Sequence, residues 1–144
     1  MQLACPACLT RNRFPDERLA EHPRCGKCKA PLAPDSPVAL SDATLPSYLA
    51  GCDAPVLVDF WAAWCGPCQA MAPQFAAAAR ALPGVRFVKV DSDAAPQSSA
   101  RYAIRSIPTL LLFKDGRELA RHSGVLPAAQ LTRWVEATLA KEKP

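Results

Sequence analysis

The sequence lacks the features that mark membrane and secreted proteins. No run of apolar residues approaches the roughly 18 that a membrane-spanning helix needs. The first residues, from Met1 to Pro6, do not combine a basic start with an apolar run, so they do not predict a signal peptide. We therefore expect a cytoplasmic protein that has no membrane partner.

Strong charge of either sign is also missing. The net charge is +4, from 17 basic and 13 acidic residues. Six basic and four acidic residues precede Val38, and eleven basic and nine acidic residues follow from there on, so neither part is strongly basic. Nucleic-acid binding needs a basic stripe with aromatic side chains, and we expect no nucleic-acid partner. Half of the residues are apolar, which permits a substantial core.

Cysteine, by contrast, is abundant: there are seven, and an odd count argues against a fully paired disulfide framework. Four of them form two C-x-x-C pairs with sixteen residues between, namely Cys5, Cys8, Cys25 and Cys28. This spacing predicts one structural Zn²⁺ held by four sulfurs in a tetrahedron. The segment has few large apolar residues and needs such a crosslink to fold. The alternative is a pair of redox-active dithiols, and oxidation of the thiolates would eject the metal.

A proline-rich stretch follows this segment. Three prolines among eight residues, from Ala30 to Pro37, predict a stiff linker. We therefore divide the chain into residues 1–37, the N-terminal module with its linker, and residues 38–144, a second domain.

The second domain alternates strand and helix patterns, which predicts an α/β fold with a mixed sheet and helices on both faces. Apolar runs predict strands at 38–40, 56–60, 85–90 and 109–113, and Asp115-Gly116 predicts a hairpin that returns over 118–123. Predicted helices cover 41–51, the segment from Cys65 to Pro83 with a kink at Pro73, then 96–102 and a final amphipathic helix around 131–139. Residues 141–144 are expected to fray.

The chemistry of this domain centres on a third pair, Cys65-x-x-Cys68, at the predicted start of a helix. The helix N-terminus stabilises a thiolate, so Cys65 is the candidate nucleophile, and Cys68, one turn further in, should be more buried. Cys68 must lose a proton to attack a mixed disulfide. Asp59, within an apolar strand, is the candidate acceptor, with Lys89 as its partner. The alternative places Asp59 at a strand end, facing water.

The run from Trp61 to Cys68, W-A-A-W-C-G-P-C, closely resembles the active-site motif of thioredoxins. The resemblance covers roughly residues 38–140. Further matching positions are Asp59, Pro73, Lys89, Ile107-Pro108-Thr109, Asp115-Gly116 and Gly124. The resemblance implies the thioredoxin fold and protein disulfide reductase activity. It also implies that a thioredoxin reductase, which uses NADPH, regenerates the dithiol. It also implies a cis Pro108 and a docking surface for oxidised proteins at Trp64, Gly66, Pro67, Ile107, Pro108 and Gly124.

The two knuckles before this domain extend the resemblance to the zinc-containing thioredoxins of bacteria, over almost the whole chain. We expect a monomer. Two rival functions stay open: a thiol oxidase or isomerase of an oxidising compartment, and a redox-switched, zinc-dependent holdase or binding protein. Cys52 departs from the family pattern and is either a small, half-buried hydrophobe or a regulatory or dimer-forming thiol.

Overall fold

The computed structural model describes residues 1–142, so the last part of the predicted frayed end lies outside the described residues. In the N-terminal module, β1 (Gln2–Ala4) pairs antiparallel with β2 (Arg11–Arg13), and a 3₁₀ segment spans Asp16–Glu21. The sequence analysis identified only the two cysteine knuckles here. Strands of three residues are too short to produce a periodic pattern.

The second sheet has five strands in the order β3-β5-β4-β6-β7. Their bounds are β3 Val38–Leu40, β4 Val56–Trp61, β5 Arg86–Asp91, β6 Thr109–Lys114 and β7 Arg117–Ser123. The first three strands run parallel, and β6 and β7 are antiparallel to their neighbours. The expectation of a mixed sheet that ends in a hairpin is confirmed.

The helices are α1 (Leu45–Gly51), α2 (Gly66–Ala81), α3 (Pro96–Arg101) and α4 (Ala128–Lys141). The prediction that the first helix begins at Ser41 is wrong. Ser41 and Thr44 form a turn instead, in which the Ser41 N–H donates to Thr44 Oγ1 at 2.8 Å. Helix α2 continues through Pro73 without a break in its assignment. No helix within residues 1–142 is long and apolar enough to cross a membrane.

Strand β4 separates two cores because its side chains alternate between the faces of the sheet. Leu57 packs with Met71 and Phe75 of α2 and with residues of α4. Val58 and Phe60 point to the opposite face, where they join α1. Asp59 is an odd-numbered residue like Leu57, so it lies on the face that α2 and α4 cover.

The N-terminal module shares the second of these cores. Leu3 and Leu32 are buried in one cluster with Leu45 and Tyr48 of α1. The backbone adds a link, since the N–H of Asp53 donates to the carbonyl of Gln2 at 2.8 Å. These contacts lie near the start of β4, whereas the dithiol follows its end. The module therefore packs at the end of the sheet remote from the dithiol.

Gly51 marks the closest approach of the module to α1. A Cβ added at Gly51 would lie 2.8 Å from the Cβ of Ala4, which the backbone of β1 holds in place. We expect Gly51→Ala to lower the free energy of unfolding by about 1–3 kcal/mol, because overpacking outweighs alanine's better helix propensity. Denaturant unfolding followed by tryptophan fluorescence measures this change.

Gly84→Ala is the matched control, because nothing lies within 4 Å of a Cβ added there. We expect the control to change the free energy of unfolding by no more than about 0.5 kcal/mol. Equal effects at the two glycines would contradict a tight contact between the module and α1.

Candidate functional site

The dithiol sits where the chain passes from β4 into α2. Cys65 is the N-cap residue of α2 and is joined to Cys68 by a disulfide, with their Cα atoms 5.2 Å apart. The backbone N–H of Cys68 donates to Cys65 Sγ at 3.2 Å. This donor and the positive end of the 16-residue helix would both stabilise a thiolate on Cys65.

In this oxidised form Cys68 is only marginally more buried than Cys65, so the expected difference is small. Cys65 is 4% exposed and Cys68 is 3% exposed. The disulfide holds both sulfurs in one small cluster with Ala62, so neither side chain projects into solvent. The two cysteines still differ in position, because Cys65 lines a surface groove and Cys68 is not among its lining residues.

This surface groove has a volume of ≈ 590 Å³, and we call it the docking groove because it contains most of the predicted docking residues. Its lining residues are Trp64, Cys65, Gly66, Pro67, Ser92, Asp93, Ser99, Ile104, Arg105, Ser106 and Ile107. Trp64 is 72% exposed, which is unusual for so large a side chain. An exposed aromatic ring beside a nucleophilic sulfur can contact an extended polypeptide.

Two predicted docking residues, Pro108 and Gly124, are not among the residues that line the groove. The Ile107–Pro108 peptide bond is cis, as the resemblance implies, but Pro108 is buried. Gly124, at the end of β7, donates its N–H to the carbonyl of Pro108 at 2.9 Å. The carbonyl oxygen of Ile107 lies 3.7 Å from Cys65 Sγ. The loop thus brings Ile107 to the sulfur, and Pro108 and Gly124 support that loop.

Asp59 is 1% exposed, which overturns the alternative that it faces water at a strand end. Neither of its carboxyl oxygens has a hydrogen-bond partner within residues 1–142. Burial raises the pKa of Asp59 to about 7, and the positive charge of Lys89 acts in the opposite direction. Lys89 lies on the neighbouring strand, as predicted, in parallel register with Asp59. Its ammonium, however, is over the ring of Trp61, 4.7 Å from the centroid.

The four remaining paired cysteines converge in the N-terminal module. The Sγ atoms of Cys5, Cys8, Cys25 and Cys28 all lie within 4.8 Å of one another. The sulfurs of Cys5 and Cys28 are 3.5 Å apart, and those of Cys8 and Cys25 are 3.6 Å apart. A tetrahedron with Zn–S bonds of about 2.3 Å has edges of about 3.8 Å, so the cluster fits Zn²⁺.

Backbone donors around these sulfurs support the same conclusion. The N–H of Ala7 points to Cys5 Sγ and that of Lys27 to Cys25 Sγ, each at 3.4 Å. Donors of this kind stabilise thiolates, and backbone hydrogen bonds lower the pKa of Cys25 to about 6. Burial raises the pKa of Cys5 to about 12, so a thiolate at this position needs a cation beside it. A bound Zn²⁺ supplies that charge.

Asp93, Arg105 and Ser106 line the docking groove but are not among the residues predicted from the sequence. Asp93 accepts a hydrogen bond from Trp64 Nε1 at 2.9 Å and fixes the exposed ring. Arg105 and Ser106 directly precede Ile107 in the chain. Asp93 follows the end of β5 just as Trp64 follows the end of β4. Ends of adjacent parallel strands meet at one edge of a sheet, and this signal could have identified Asp93.

Comparison with known proteins accounts for both parts of the chain. The family model described as "Thioredoxin" matches residues 36–137, and the one described as "Thioredoxin 2, N-terminal" matches residues 4–30. Thioredoxin C-3 of Corynebacterium nephridii is 43% identical over 143 residues, which cover 99% of each chain. The thioredoxin of Rhodospirillum rubrum is 44% identical over 101 residues, covering 69% of this chain and 97% of that one.

Proposed function

Since the chain belongs to the thioredoxin family, and is therefore a thiol–disulfide oxidoreductase, we propose that it works as a protein disulfide reductase. One observation carries this proposal. Cys65 lies at the N-cap of α2, accepts the N–H of Cys68, and lines an open groove beside an exposed Trp64. This combination provides a stabilised thiolate and a surface on which a polypeptide can dock.

The first step is the attack of the Cys65 thiolate on a target disulfide. A bond forms between Cys65 Sγ and one target sulfur, while the target S–S bond breaks and its second sulfur leaves as a thiolate. Trp64, Gly66, Pro67 and Ile107 contact the docked target in the groove. Pro108 and Gly124 act behind them by holding the Ile107 loop close to the sulfur.

The second step releases the target. The Cys68 thiol gives its proton to the Asp59 carboxylate, and the resulting thiolate attacks Cys65 Sγ. The mixed disulfide breaks, the target leaves fully reduced, and Cys65 and Cys68 become a disulfide. A carboxyl group with a pKa near 7 can both accept and return this proton at neutral pH. The positive charge of Lys89 lowers the pKa of that carboxyl and so limits the rise that burial causes.

The N-terminal module completes the proposal. We propose that residues 1–37 bind one Zn²⁺ through Cys5, Cys8, Cys25 and Cys28, and that the ion is structural because four sulfurs leave no open position. Residues 38–144 carry the redox chemistry. A thioredoxin reductase with NADPH returns the dithiol to its reduced form in the cytoplasm, and the protein acts as a monomer.

The deciding experiment is a protein disulfide reduction assay on the full-length, zinc-loaded chain, with thioredoxin reductase and NADPH. We expect NADPH consumption that depends on the disulfide target. Absence of turnover, with the reductase active on another thioredoxin, would refute the proposal. A dithiol potential near about −180 mV or above, instead of about −270 mV, would favour the oxidase or isomerase alternative.

One observation favours a second function, the redox-switched binding protein. Cys28 is exposed, although Cys5 and Cys25 are buried, so an oxidant can reach the cluster at this sulfur. Hydrogen peroxide could take two electrons from the Cys28 and Cys5 thiolates, giving a disulfide, water and released zinc. Zinc release at low peroxide, with binding of unfolded proteins that survives Cys65→Ser, would support this function over the reductase.

Asp59→Asn tests the proton carrier. We expect resolution of the mixed disulfide to slow by on the order of 10²-fold at pH 7, because an amide cannot accept the proton of Cys68. Rapid-quench detection of the mixed disulfide measures this step. An unchanged rate would show that solvent takes the proton instead.

The same substitution should stabilise the oxidised protein at high pH. The folded-state pKa of Asp59, about 7, lies above the ordinary aspartate pKa of 3.8, so the cost of the buried carboxyl to stability grows as the pH rises from about 4 to about 7. We expect Asp59→Asn to raise the free energy of unfolding by up to about 4 kcal/mol at pH 8 and to have little effect near pH 4. Denaturant unfolding at the two pH values measures this difference.

A further inference from the structure

Lys89 has two possible partners on the neighbouring strand. It is in parallel register with Asp59, and Trp61 lies two residues further along β4, on the same face. The structure places the Lys89 ammonium 4.7 Å from the centroid of the Trp61 ring. Both oxygens of Asp59 are left without a hydrogen-bond partner in the described part of the chain. The indole ring, and not the carboxyl group, therefore holds the cation.

Burial explains this choice of partner. Asp59 is almost fully buried, whereas Lys89 and Trp61 are only partly buried. A direct ion pair would require the ammonium to lose water, and this desolvation offsets part of the free energy that the pairing returns. Over the face of the indole, the ammonium keeps part of its hydration and gains a cation–π contact.

Few other charges lie on this face of the sheet. The titratable groups that the strand register places on the face of Asp59 are Lys89 and Asp91 on β5 and His122 on β7. Cys65 and Cys68 lie beyond the end of β4, in a cluster that Trp61 contacts. Leu110 stands between Asp59 and His122 in the strand register. The side chains of α4 that join this core are apolar, Leu131 and Val135 among them. Lys89 is thus the cation that the register places beside Asp59.

We propose that Trp61 is a positioning residue, whose ring holds the Lys89 ammonium away from Asp59 and so keeps the Asp59 carboxyl able to carry a proton. Without the ring, the lysine side chain is free to swing to the carboxylate and pair with it. A paired carboxylate holds a proton weakly and is a poor base for a thiol. This inference rests on the proposed role of Asp59 and adds a residue that acts through Lys89.

The experiment measures the Asp59 carboxyl directly, by carbon-13 NMR titration of the full-length, zinc-loaded, oxidised protein, with Asp59→Asn to assign the signal. In Trp61→Leu, we expect the midpoint of the Asp59 titration to fall by about one pH unit or more. Trp61→Phe should give a smaller fall, because phenylalanine binds cations less strongly than tryptophan. Lys89→Met should raise the midpoint, and Trp61→Leu with Lys89→Met should match Lys89→Met alone.

The double variant separates positioning from packing. An Asp59 midpoint that is unchanged in Trp61→Leu overturns the proposal. The proposal also fails if adding Trp61→Leu to Lys89→Met lowers the midpoint as much as Trp61→Leu alone lowers it. If Trp61→Leu does not fold, Trp61→Phe decides the question on the same criteria. The titration needs neither substrate nor turnover, so it stands apart from the reductase assay and from Asp59→Asn kinetics, which test the proposed function.

Discussion

Cys65→Ser is expected to lose protein disulfide reductase activity by on the order of 10³-fold or more, because a hydroxyl cannot replace the attacking thiolate. Cys68→Ser should fail in a different way. Its Cys65 thiolate still lines the docking groove and still has the helix N-terminus behind it, so the first attack should proceed. Without the second sulfur the product should accumulate as a mixed disulfide, which intact-protein mass spectrometry detects.

Cys52→Ala is the matched control for these two variants. Cys52 is as buried as the catalytic pair but belongs to the core beneath α1, on the opposite face of the sheet. Its replacement should leave turnover within about twofold of the unmodified protein, since distant sites act independently. A mixed disulfide that forms in Cys65→Ser and not in Cys68→Ser would reverse the assigned roles of the two cysteines.

The parts of the site that sequence reasoning identified depend on short-range spacing. Cys65 and Cys68 are three residues apart, and the geometry of a helix start fixes their relationship. The burial of Asp59 could be predicted because the carboxylate interrupts an apolar strand, and the register with Lys89 follows from two adjacent parallel strands. Each of these features depends only on residues within one or two elements of secondary structure.

The features that sequence reasoning missed depend on tertiary packing. Nothing local in the sequence shows that Lys89 prefers the ring of Trp61 to Asp59, because burial of the whole face decides between them. The contact between Gly51 and Ala4 joins residues 47 positions apart, and only the assembled core reveals it. The proline-rich linker likewise predicts a boundary between two parts but does not reveal that their buried side chains join one core.

This shared core leads to the second large expectation, that removal of zinc destabilises the whole chain and not only the N-terminal module. Leu3 and Leu32 are fully buried against α1, next to Leu45 and Tyr48. If the module unfolds without its metal, Leu3 and Leu32 no longer cover the apolar side of α1. Partial exposure of two large side chains costs about 3 kcal/mol, which corresponds to a fall in Tm of about 6–12 °C for a chain of this size.

The measurement compares thermal unfolding of the zinc-loaded and chelated protein under a phosphine reductant, which prevents disulfides from replacing the metal. A variant with Cys25→Ser and Cys28→Ser is the control, since it has lost half of the ligand set and chelator should change its Tm little further. We expect the fall in Tm of the intact protein to be seen by tryptophan fluorescence, because Trp61, Trp64 and Trp134 all lie outside the module. A Tm that stays within about 1 °C on chelation would show that the core beneath α1 is stable without the module, and the zinc cluster would then serve its own segment alone.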